Sequence, residues 1–83
     1  MNMTFTDAGM VRIGSRVRVQ DADGEDEFTL VPEHDADARA SRLSADSPLG
    51  RALLGRHVGE RVRFRAPGGV MGVTVLVVDG AAA

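Results

Sequence analysis

The chain has 83 residues, a net charge of −2, no cysteine and three aromatic residues, all phenylalanine. That length suits one small domain, and the missing thiols exclude a disulfide framework and any thiolate metal site. The acidic balance argues against general affinity for nucleic acid, and neither a secretory leader nor a bilayer-spanning apolar run is present, so a cytoplasmic protein without membrane contact is expected.

Met1 to Val11 shows no sustained period and reads as a loose lead-in, with residues 1–12 outside the domain. From Ile13 the pattern changes. Val17 and Val19 alternate with Arg16, Arg18 and Gln20, the period of a half-buried strand. Asp21-Ala22-Asp23-Gly24-Glu25-Asp26 is dense in turn formers, and Phe28-Thr29-Leu30-Val31 returns as the second strand of a hairpin, ended by Pro32. Glu33 to Arg42 has no clean helical face and reads as a connection with room for one helical turn. Leu43 anchors a short strand leading into the only strong helix signal.

That signal has a start and a stop. Ser47 can cap an unpaired amide of the first turn, Pro48 falls at N1, and Gly55 suits the left-handed C′ position. Leu49, Ala52 and Leu53 form one apolar face, and Arg51 lies off it. Gly50 weakens the helix, which is only about two turns long and must be held by packing.

Arg56 to Glu60 is a turn. Arg61-Val62-Arg63-Phe64-Arg65 alternates again, with Val62 and Phe64 inward and the arginines outward. Pro67-Gly68-Gly69 turns the chain into Val70–Val78, the most apolar strand and therefore central, with Gly72 marking a bulge or a close backbone approach. Residues 80–83 read as a tail with nothing to bury it. The inward set is Val17, Val19, Phe28, Leu30, Leu49, Leu53, Val62, Phe64, Val75 and Val77. Four or five mostly antiparallel strands with one short helix laid on them make an α+β domain over 13–79.

Ser44-Ala45-Asp46-Ser47-Pro48-Leu49-Gly50-Arg51-Ala52-Leu53-Leu54-Gly55, then Val58-Gly59-Glu60 and Ala66-Pro67-Gly68-Gly69, resembles the C-terminal domain of the bacterial transcript-cleavage factors GreA and GreB. The same domain occurs in the regulator of nucleoside diphosphate kinase, and the likeness runs from about Ile13 to Asp79. The resemblance implies a fold similar to FK506-binding proteins. It also implies that Asp46, Ser47 and Pro48, with Arg51 beside them, dock on the β′-subunit coiled coil of RNA polymerase at the rim of the secondary channel. Those factors act through a long N-terminal coiled coil with an acidic tip. The residues before the first strand show no heptads and, at ~1.5 Å per helical residue, would not reach down a channel. No stimulation of transcript cleavage is therefore expected.

Other chemistries are weaker. In Asp21-Ala22-Asp23-Gly24-Glu25 the glycine is misplaced for a calcium loop. His34, Asp35 and Asp37 share one polar segment, and His57 is distant, which makes a poor metal set. Ser47 shows no assignable triad, and Pro67-Gly68-Gly69 opens no helix that could cradle phosphate. With no Trp or Tyr, an aromatic proline pocket and isomerase activity are not expected. Arg16, Arg18, Arg61, Arg63 and Arg65 are read as solvating the outer side of a sheet rather than as a positive binding face. The expectation is a non-enzymatic polymerase-binding module without cofactor or metal. The alternative is an interaction or dimerisation domain of the same fold with another partner, itself included.

Overall fold

The computed structural model describes residues 9–82. Six strands form one sheet: β1 (Arg16–Asp21), β2 (Gly24–Val31), β3 (Arg42–Ser44), β4 (Arg61–Ala66), β5 (Gly69–Val78) and β6 (Ala81–Ala82), with helix α1 (Pro48–Leu53) against β4. The order is β3-β2-β1-β5-β4, and only the β2–β3 pair is parallel. β6 pairs with the end of β5 that β4 does not reach. Two 3-10 turns, Glu33–Asp35 and Ala38–Ala40, fill the expected connection.

Charge pairing explains why the first hairpin is tighter than the turn formers suggest. Asp21 pairs with Gly24 across a two-residue loop, and the Asp21 carboxylate accepts the Asp23 amide at 2.8 Å. Glu25 and Glu27 belong to β2, where they face Arg18 at 3.6 and 3.9 Å. Residues that look like loop by composition thus serve as the solvated outer face of a strand.

The inner face holds Val17, Val19, Leu30, Leu53, Val62 and Val75 as expected, with Phe28, Leu49 and Phe64 packed partly against them. One member was misplaced. Arg18 pairs with Val77 but Val19 pairs with Val75, so Leu76 is an extra residue on β5. This bulge reverses the alternation beyond it. Val78 is consequently buried and Val77 only half-buried on the other face. The bulge lies at Leu76, not at Gly72, which pairs regularly with Arg63 under the Arg61 guanidinium. Val73 and Ala45 complete the core.

Both ends of the domain extend further than expected. Val11 is 1% exposed and sits in the core. Its amide donates to the Arg56 carbonyl at 2.8 Å, its carbonyl accepts the Gly55 amide at 2.8 Å, and Met10 bridges His57. Gly9 to Val11 therefore staple the exit of α1; the rest of the lead-in, 1–8, lies outside the described residues. At the other end, Asp79 and Gly80 both take positive φ, 52° and 87°. That is the two-residue hairpin geometry favoured by Asp-Gly, and it folds Ala81–Ala82 back onto β5, so the expected tail is a strand.

Candidate functional site

The sequence from Ser44 to Arg51 forms the turn that leads from β3 into α1, the tip, and its own short polar side chains lock it. The Ser44 hydroxyl accepts the Asp46 amide at 3.0 Å. The Ser44 carbonyl accepts both the Ser47 amide at 3.1 Å and the Ser47 hydroxyl at 2.7 Å. The same hydroxyl accepts the Gly50 amide at 3.0 Å as N-cap, and Pro48 occupies N1. Buried Ala45 ties the turn to the sheet by donating its amide to the Val31 carbonyl at 2.8 Å.

Gly50 decides how closely the helix can sit on this turn. A Cβ there would run into the Ser44 carbonyl and lie 3.0 Å from the Ala45 Cα. The glycine that weakens the isolated helix is what lets α1 pack onto its own lead-in. Gly55, at φ 81°, follows the C-cap Leu54 as expected and delivers its amide to Val11.

The four candidate residues are thereby brought together, with different parts to play. Asp46, Pro48 and Arg51 are exposed, and Ser47 is half-buried. Among the described residues no hydrogen bond or ion pair occupies the Asp46 carboxylate or the Arg51 guanidinium. Asp46 and Arg51 border two shallow depressions, one shared with Glu33 and Ser44 and the other with Pro48 and Phe64. The Ser47 hydroxyl is consumed internally and holds the turn, while Asp46 and Pro48 face solvent. Ser44 contributes as much to holding the turn. Its only signal was a hydroxyl residue three before the cap.

The remaining candidates lie elsewhere. His34 and Asp35 form one exposed pair at 3.4 Å. His57 sits in the turn after α1, where its backbone amide donates to Glu60 Oε2 at 2.7 Å. That bond, helped by His57 and Arg56 side chains, holds the Glu60 carboxyl below its ordinary value. Among the described residues no three His, Cys, Asp or Glu side chains converge as metal ligands. No helix there is long and apolar enough to cross a membrane. Arg61, Arg63 and Arg65 are exposed on the outer face of β4.

A family model described as transcription elongation factor, GreA/GreB, C-term, matches residues 6–79, starting ahead of the Ile13 boundary. The chain is 38% identical over 81 residues to the transcription elongation factor GreA of Caulobacter vibrioides, covering 95% of this chain and 52% of that protein. Its structure is similar to the GreA/GreB elongation factor from Nitrosomonas europaea, with 33% identity, a TM-score of 0.68, and 84% of this chain and 60% of that one covered. It is also similar to Gfh1 of Thermus aquaticus, with 26% identity, a TM-score of 0.76, and 88% and 50% covered. The chain spans about half the length of the curated relatives it matches.

Proposed function

The chain belongs to the GreA/GreB C-terminal-domain family of transcription elongation factors, and on that premise we propose that it is a non-enzymatic module that binds RNA polymerase in the cytoplasm. It docks near the secondary channel through Asp46, Pro48 and Arg51, on the β′-subunit coiled coil, with Ser47 holding the tip in shape. It competes with or modulates Gre-type factors there and does not itself stimulate transcript cleavage. The observation that carries this reading is the tip itself: a carboxylate without a described partner and an exposed proline, held out on a turn whose backbone is locked to the sheet. A fixed shape with one directional acceptor loses little freedom on binding.

The experiment measures binding to the cognate polymerase and thermal unfolding together for Asp46→Ala, Pro48→Ala and the double variant. The expected result is binding weakened about tenfold or more in the double variant, as for a small central contact, with unfolding nearly unchanged. Wild-type binding that survives the double variant removes the tip from the interface. No binding of the wild type at micromolar concentration leaves the alternative, an interaction or dimerisation domain with another partner. That alternative draws support from Val70 and Met71, 66% and 44% exposed at the start of β5.

A further inference from the structure

Among the described residues the sheet has one long open edge. On one side β3 is only three residues long, and it is backed by Asp37, whose amide and carbonyl bond to Arg42 at 3.1 and 2.9 Å. On the other side β4 runs from Arg61 to Ala66 with no strand paired beyond it. Antiparallel pairing alternates, so every second residue of an edge strand turns its N–H and C=O outward. The phase is fixed just before β4. The Val75 amide donates to the Glu60 carbonyl at 2.9 Å, which puts Glu60, Val62, Phe64 and Ala66 on the bonded side. Arg61, Arg63 and Arg65 therefore offer their backbone donors and acceptors to the free edge, where no described residue meets them.

Their side chains stand on the outer face beside that edge. Arg61 leans over Gly72, and among the described residues no ion pair holds any of the three. Glu25 and Glu27 are engaged by Arg18, and Glu60 by Arg56 and the His57 amide. The edge thus sets three uncompensated cations in register with three unpaired peptide units. Such a stripe guards against a second copy. Antiparallel pairing of β4 with itself about Arg63 would place Arg61 against Arg65, like charges directly opposite. A phosphate backbone would answer the guanidinium groups and the amides, but it would also meet the outward carbonyls. A peptide main chain answers both.

We propose that the β4 edge takes up an extended acidic segment of a partner protein, added antiparallel as a further strand. Its carboxylates, at every second position, stand opposite Arg61, Arg63 and Arg65, and its main chain bonds to those same residues. The side chains between them turn toward the inner face beside Phe64, where the shallow depression shared with Ala52 gives them room. Main-chain bonds supply the affinity, and the arginines set the sign of the charge accepted. The pairing does not depend on Asp46 or Pro48, and it does not require the polymerase reading to hold.

The test titrates the full chain, labelled with nitrogen-15, with capped peptides while backbone amide shifts and hydrogen exchange are followed. The acidic probe is Thr-Glu-Val-Glu-Val-Glu-Thr. Its controls are Thr-Lys-Val-Lys-Val-Lys-Thr, the acidic peptide N-methylated at its glutamates, and a short oligothymidylate. The acidic peptide should shift the Arg61, Arg63 and Arg65 amides saturably and slow their exchange. The lysine peptide should bind about tenfold more weakly, as three cross-strand charge pairs allow. The methylated peptide should not saturate, and the oligothymidylate should protect none of the three amides. Arg63→Glu, at an exposed position, should weaken the acidic peptide and strengthen the lysine peptide, with unchanged amide dispersion showing that the domain stays folded. Equal binding of the methylated peptide would overturn the proposal by leaving charge alone, as would tighter binding of oligothymidylate, which would make the face a nucleic-acid surface. Amide protection that grows with protein concentration in the absence of peptide would assign the edge to a second copy instead. Failure of the acidic peptide to saturate up to about 1 mM would leave the arginines as edge guards only.

Discussion

The tip at 44–50 and the hairpin end at 66–71 are both turns that carry exposed residues, yet they are held in different ways. In the tip, Ser44 and Ser47 satisfy the local backbone, Ala45 is buried, and Gly50 sits against the Ser44 carbonyl with no room for a methyl group. At the hairpin end, Ala66 pairs with Gly69 across Pro67-Gly68, nothing lies within 4 Å of a Cβ placed at Gly68, and Val70 and Met71 face solvent. The first turn is locked by its own side chains and also tied to the sheet through Ala45, whereas the second rests on turn chemistry alone. The difference teaches that rigidity at the proposed docking point rests partly on buried groups, so it can be lost without altering any exposed residue.

Alanine at the two glycines breaks this comparison most sharply. Gly50→Ala forces backbone apart where no side chain can yield, and should lower stability by about 3 kcal/mol or leave the chain unfolded. Gly68→Ala meets open space at ordinary φ and should change stability by less than about 0.5 kcal/mol. Urea midpoints of the two variants measure both. A Gly50→Ala protein as stable as wild type would show that the close approach of α1 to Ser44 is not obligatory.

The cap comes next. Ser47→Ala removes a hydroxyl that both donates and accepts, and should cost about 1–2 kcal/mol in the same assay. Exposed groups follow. Pro48→Ala on the tip and Met71→Ala on the hairpin should each shift stability by less than about 0.5 kcal/mol. Only the first should reduce polymerase binding, which sharpens the contrast into function.

The turn at 57–60 is of a third kind, held by the Glu60 carboxylate on the His57 amide. Because the folded-state pKa of Glu60 is lowered, its contribution is fully present above the ordinary carboxylate value, about 4.3, and is lost as pH falls through the lowered value. Glu60→Gln should therefore flatten part of the acid limb of a stability-versus-pH curve, with its largest cost at neutral pH and its smallest below the lowered value. An acid limb identical to wild type would remove this carboxylate from the account.

Local rules in the chain determined much of this protein. The period of Val17 and Val19, the alternation of Val62 and Phe64 with three arginines, and the Ser47-Pro48 start of α1 depend on neighbours a few residues away, and each stands in the structure as the pattern implies. The placement of the docking candidates was legible for the same reason, since a cap and a proline at N1 place one another and leave Asp46 outside the helix, whereas their docking role rests on the family resemblance. The Asp79-Gly80 hairpin was also written locally, but the alanines after it offered no apolar pattern to mark a strand. Tertiary structure alone decided the rest. The Leu76 bulge that exchanges Val77 for Val78 is a mismatch between β1 and β5, invisible along either strand. Val11 is core because the chain returns past it at Gly55 and Arg56, and the acids at 25 and 27 are strand because Arg18 lies across from them. Gly50 looks like a defect in a helix until the helix is packed, when the missing Cβ becomes the space that Ser44 occupies.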